Sequence, residues 1–102
     1  MTWPVIWQDE RGKELGRLDD PGFLPELLPP SDEPSSTVCL RFIDPYGYTV
    51  FNQAQLDQLL IELEERKASI SDLRVRRGLD ELLAFLRPCA GQMHTYIKIV
   101  GD

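Results

Sequence analysis

Two stripes of aliphatic residues constrain this chain more than any other feature. Leu56, Leu59, Leu60 and Leu63 recur at spacings of three and four, and Val75, Leu79, Leu82, Leu83 and Leu86 repeat the pattern after a short break. That period puts each set on one face of a helix. Two helices of this length hold each other only weakly in water, so both stripes require a further apolar layer. The helix boundaries are written locally. Asn52 with Gln55 three residues on is a capping box and predicts a helix over about 53–67. Ser71 or Asp72 caps the second, which runs to about Arg87 before Pro88. Glu62, Glu64 and Glu65 fall on the outer face of the first helix, Ile61 is left as an exposed contact, and Gly78 inside the second helix implies close packing.

The second layer comes from β-prone segments. Trp3, Val5 and Trp7 share one face of an extended run, with Pro4 suited to an edge. Asp9 to Gly12 supplies a turn, and Lys13–Leu18 pairs back. From Thr37, the residues Val38, Leu40 and Phe42 alternate with Cys39, Arg41 and Ile43, which predicts a central strand. Asp44–Gly47 reads as a β-turn leading to a paired strand at Tyr48–Phe51. Gln92–Val100 alternates again, placing Met93, Thr95, Ile97 and Ile99 on one face and His94, Tyr96, Lys98 and Val100 on the other.

The expected architecture is therefore α+β in the order β-β-β-β-α-α-β. A mostly antiparallel sheet of about five strands carries a two-helix hairpin on one face, and the last strand runs antiparallel to residues 48–51. One domain spans 1–102. Residues 1–36 form the hairpin and a loop holding five of the eight prolines, and residues 37–102 form the core. The sheet face away from the helices, with Arg41, Tyr96 and Lys98, is left for the Pro-rich segment, a second subunit or a partner.

Charge narrows the function classes. The net charge is −6, and residues 1–36 hold eight acids against three bases, whereas residues 37–102 hold nine against eight. A broad basic surface for gripping phosphates is excluded, so nucleic acid is not the expected partner. No apolar run approaches a membrane span and the start lacks a signal peptide, which predicts a cytoplasmic protein without a membrane partner. The residues for chemistry are sparse. His94 is the one histidine, and Cys39 or Cys89 beside it is the only cysteine–histidine pair the composition offers. Cys39 is expected buried and Cys89 exposed after the helix-ending proline. One histidine and two distant cysteines do not make a zinc cage, and the acids lack the order of a calcium loop, so no metal, cofactor or catalytic residue is assigned. Arg74, Arg76 and Arg77 oppose the dipole of the second helix; pairing to Glu62, Glu64 or Glu65 is the expected compensation, and a binding site for an acidic group on a ligand or partner is the alternative.

Two segments, Leu40-Arg-Phe-Ile-Asp-Pro-Tyr-Gly-Tyr-Thr-Val-Phe-Asn52 and His94-Thr-Tyr-Ile-Lys-Ile-Val-Gly-Asp102, together about a fifth of the chain, resemble a group of small bacterial proteins. These carry a similar Phe-Ile-Asp-Pro-Tyr-Gly-x-Thr-Val-Phe-Asn stretch and a similar closing strand. An acidic residue is common in them where Tyr48 stands here. The group is similar in size and charge to the immunity partners of bacterial toxins, and the resemblance implies a non-enzymatic, antitoxin-like inhibitor that covers a basic site on a cognate toxin. The shared residues are turn, cap and core residues, so they speak to fold more than to activity.

The leading expectation is accordingly a protein-binding module. Asp9, Glu10, Asp19, Asp20, Glu26, Asp32 and Glu33 would attract the partner, and Trp7, Phe23 and Tyr46 would anchor it. Two alternatives accompany it. One is a small enzyme or ligand-binding domain on the His94, Tyr96 and Arg41 face; the other is a homodimeric scaffold joined through Ile61 or an edge strand.

Overall fold

The computed structural model describes residues 3–19, 39–44 and 46–101. Strands β1 (Val5–Asp9), β2 (Glu14–Leu18), β3 (Tyr48–Phe51) and β4 (Thr95–Val100) form one sheet in the order β2-β1-β4-β3, with every neighbouring pair antiparallel. Helices α1 (Gln53–Ser69) and α2 (Leu73–Leu86) cover one face, joined to β4 through a 3-10 turn at Arg87–Cys89. The class is α+β, as the period of the aliphatic residues required.

The first hairpin turns as its residues dictate. Asp9 Oδ1 accepts from the backbone N–H of Arg11 (2.9 Å) and Lys13 (2.8 Å), and Gly12 takes φ +83°, a conformation that disfavours a side chain. β1 lies inside the sheet, between β2 and β4, which corrects the expected edge position. Pro4 is accommodated because it precedes the strand, and its carbonyl accepts from Val100 N at 3.0 Å.

Among the described residues the sheet has four strands, not five. Of the expected central strand over 38–43, Val38 lies outside the described residues and Leu40–Phe42 form a 3-10 turn. The reason is a competing acceptor. Glu62 of α1 is only 2% exposed, and its carboxylate accepts from the backbone N–H of Leu40 (2.9 Å) and from that of Cys39 (3.1 Å to each oxygen). Phe42 N and Ile43 N then bond to the carbonyls of Cys39 and Leu40. Amides committed to a carboxylate and to their own turn have no ladder to offer a neighbouring strand. The apolar side chains still reach the core, where Cys39, Leu40 and Ile43 are buried.

Both helices start at the expected caps. Asn52 Oδ1 accepts from Gln55 N (2.9 Å) while Gln55 Oε1 accepts from Asn52 N (2.8 Å), and Asp72 accepts from Arg74 N (2.9 Å). The α2 stripe is buried throughout together with Gly78; on α1 Leu56, Leu59 and Leu63 are buried, Leu60 is partly so, and Glu62 joins them. Placing Glu62 on the outer face is thereby corrected: it lies three residues beyond Leu59 and one before Leu63, on the inward side of the same helix. Lys67 pairs with Asp80 at 2.6 Å, linking the two helices, Glu64 pairs with Arg87 in the 3-10 turn after α2, and Arg74 pairs with its own cap Asp72 at 3.6 Å. Ile61 stands exposed.

Register fixes the two faces. Val5 and Trp7 lie opposite Ile99 and Ile97, and Thr49 and Phe51 oppose the same pair from the other side. This is the helix-covered face. The opposite face carries Ile6, Tyr96, Lys98, Tyr48 and Val50, in the order set by Ile6↔Lys98↔Val50 and Val100↔Tyr48.

Candidate functional site

The described members of the predicted acidic set, Asp9, Glu10 and Asp19, divide between two ends of the sheet. Asp9 and Glu10 lie at the β1–β2 turn, where Asp9 pairs in register with Thr95. Asp9 is half-buried, held by its two amide bonds, and Glu10 is exposed with its carboxylate 3.6 Å from His94 Nδ1. Asp19 follows β2 at the other end, exposed and 3.3 Å from Arg17, which also holds Glu14 at 2.9 Å. The Arg17 guanidinium is raised further above its ordinary value, first by the hydrogen bond to Glu14 and then by that to Asp19. Asp20, Phe23, Glu26, Asp32 and Glu33 lie outside the described residues.

The proposed aromatic anchors are placed very differently. Trp7 is half-buried and packs against the core, where a Cβ on Gly16 would stand 3.5 Å from its ring. Tyr46 is 85% exposed, at the tip of a turn in which Asp44 Oδ1 accepts from Tyr46 N at 2.8 Å. Gly47 next to it sits close to the same side chain: a Cβ there would lie 2.8 Å from Asp44 Oδ2, so a larger residue would displace that carboxylate.

Tyr46 has exposed apolar neighbours along the chain that the sequence pattern did not single out. Phe42, Tyr46, Tyr48 and Val50, all exposed, fall within nine consecutive positions around β3. Lys98 Nζ sits 4.2 Å from the centre of the Tyr48 ring, a cation–π contact on the sheet face away from the helices. Beside this edge, between β3 and the start of α1, opens a groove of about 460 Å³ lined by Cys39, Phe42, Val50, Phe51, Ala54 and Gln58 among others. Phe42 escaped notice because an alternating strand would have turned it inward; the 3-10 turn leaves it outside. Exposed aromatic and β-branched side chains grouped in this way are characteristic of contact surfaces.

The residues for nucleophilic chemistry are kept apart. Cys39 is buried and its Sγ donates to Gln55 O at 3.4 Å; burial pushes its thiol up, and the Glu62 carboxylate adds to the effect. Cys89, expected exposed, is buried, because the chain continues past Pro88 in a 3-10 turn that returns it to the core, where its Sγ donates to Phe85 O and burial raises its thiol as well. A raised thiol holds less of the reactive thiolate. His94 is 71% exposed and lies before β4, not within it, with φ +61°. The strand starts one residue later, so His94 does not extend the face carrying Tyr96 and Lys98. Arg41 has its backbone in the 3-10 turn, and its side chain lies outside the described residues. No group of three or more histidine, cysteine, aspartate or glutamate side chains that could hold a metal is found among the described residues, and no helix there is long and apolar enough to cross a membrane. Against known proteins, no family model matches the chain, and neither a curated protein nor a solved structure matches it.

Proposed function

We propose that this chain is a non-enzymatic protein-binding module of the immunity or antitoxin kind, acting in the cytoplasm by covering a basic site on a cognate toxin. The observation that carries this reading is the uneven placement of charge. Residues 1–36 hold eight acids against three bases. In residues 37–102, by contrast, nine acids face eight bases and Glu64, Asp72 and Asp80 each pair with a cation, whereas in residues 1–36 the pairing of Arg17 to Glu14 and Asp19 still leaves a net excess of acids. Glu10 projects exposed from the hairpin, and among the described residues His94 faces it. An unbalanced acidic segment raises the encounter rate with a basic partner, and exposed aromatics such as Tyr46 supply the short-range contact.

The test is direct. Co-expression with the toxic product of a neighbouring gene should restore growth. Replacing Asp9, Glu10, Asp19 and Asp20 by their amides should slow association several-fold at low salt and by less at ionic strength near 0.15 M, where screening acts over about 8 Å. Equal association rates for the two proteins at every salt concentration would refute the acidic surface as the determinant.

A further inference from the structure

The two ends of the sheet are guarded unequally. β2, at one edge, carries Glu14 and Arg17, both exposed, and its pairing with β1 is interrupted by a register shift at Trp7/Gln8. Charges and irregular register are the usual protection of an edge strand. β3, at the other edge, reads Tyr-Thr-Val-Phe, with no charge and no register shift.

The hydrogen-bonding direction of each β3 residue follows from one bond. Gly101 N donates to Gly47 O at 2.7 Å, so Gly47 and Gly101 form a hydrogen-bonded pair. In an antiparallel ladder these pairs alternate with non-bonded ones. With Tyr48 opposite Val100 and Val50 opposite Lys98, Thr49 and Phe51 turn their backbone groups toward β4. Tyr48 and Val50 turn theirs outward. Among the described residues no other hydrogen bond takes up the N–H or C=O of Tyr48 or Val50. The same two residues carry the exposed side chains of the strand.

We infer that β3 pairs with β3 of a second copy of this chain, antiparallel about a twofold axis through Thr49. In that register Tyr48 stands opposite Val50 of the second copy and Val50 opposite its Tyr48. All four outward residues then exchange both their N–H and their C=O, giving four hydrogen bonds. The side chains remain on the correct faces, and two aromatic–β-branched pairs form on the open side. The neighbouring register, centred on Val50, would require the N–H of Asn52, which is already committed to Gln55 Oε1 at 2.8 Å. Charge favours the same occupant. A chain of net charge −6 repels its own kind at long range, and this strand is a neutral stretch. The Lys98 side chains of the two copies would be separated by three strand spacings, roughly 14 Å, beyond the screening length of about 8 Å. The groove of about 460 Å³ along the helix side of the edge would meet its mate across the axis. A four-stranded sheet becomes one of eight.

Amide exchange read residue by residue over a series of protein concentrations tests the arrangement. The amides of Thr49 and Phe51 should be protected at every concentration, whereas those of Tyr48 and Val50 should gain protection only as concentration rises, in step with a mass approaching twice 11.7 kDa in sedimentation. The Y48K/V50K double substitution, at exposed positions, should keep the fold by circular dichroism and remain monomeric. Mixing it with the Y48E/V50E variant should restore a mixed dimer, because each lysine then faces a glutamate. A mass of one chain at all concentrations, a dimer unaffected by Y48K/V50K, or protection of Tyr48 and Val50 that requires a different protein would each overturn the inference. Amide substitutions at Asp9 and Glu10 should leave the dimer mass unchanged, so failure of this dimer and failure of the inhibitor reading are told apart.

Discussion

At the scale of single residues, Glu62 is the side chain on which most local structure depends. Its carboxylate accepts from Cys39 N, Leu40 N and Gln58 Nε2, and so fastens the turn at Leu40–Phe42 to the middle of α1. Glu62→Ala would strand two buried backbone donors, at about 1–3 kcal/mol each, so the substitution should lower stability by about 3 kcal/mol in urea denaturation. Glu62→Gln keeps one acceptor but presents an amide donor to the two N–H groups, and should lose less than Glu62→Ala. Equal stability of Glu62→Ala and the parent would mean that the turn holds without the carboxylate. Asn52→Ala removes the capping box and should cost about 1 kcal/mol, measured by the same denaturation midpoint.

At the scale of elements, the helix hairpin is held by packing on its inner side and by a charge pair between the helices. Leu79 is fully buried among Val75, Leu82, Leu83 and the sheet residues of the core, so Leu79→Ala should cost about 2–5 kcal/mol and shift the thermal midpoint accordingly. The polar side has a pH signature. Asp72 is held below the usual carboxylate range mainly by the backbone N–H of Arg74, and Asp80 mainly by its bond to Lys67. A carboxylate whose value is depressed by folding stabilises the native state above its unfolded value of about 3.9, and that contribution is lost as pH falls through the folded value. Asp72→Asn and Asp80→Asn should therefore be less stable than the parent near neutral pH, and the difference should narrow once the pH falls below about 4. A difference that stays constant down to low pH would assign the effect to something other than these charges.

At the scale of the whole molecule, both thiols belong to one core. Cys39 and Cys89 are buried in the same cluster as the helix stripes and the inner sheet residues, so labelling by a water-soluble disulfide reagent should be slow in the native protein and should accelerate together for both under denaturant. Fast labelling of Cys89 alone would show that the turn after Pro88 opens independently. The parts of this molecule that the sequence determined by itself are those with local causes. Helix period came from leucine spacing, and helix starts came from Asn52 and from Ser71 or Asp72, of which the folded chain uses Asp72. Gly12 marked the hairpin turn, and the antiparallel return of β4 followed from the direction of the elements between it and β3. Tyr46 and Ile61 were legible as exposed for the same reason. Only the tertiary structure decided the fate of residues 39–43, because their β-type alternation lost to a carboxylate 22 residues beyond Leu40 in sequence that no local pattern connects to them. It alone placed β1 inside the sheet and Cys89 in the core, and it alone turned the backbone groups of Tyr48 and Val50 to an open edge. Those outcomes depend on which buried donors find which acceptors across the fold, and that matching exists only once the layers have closed on each other.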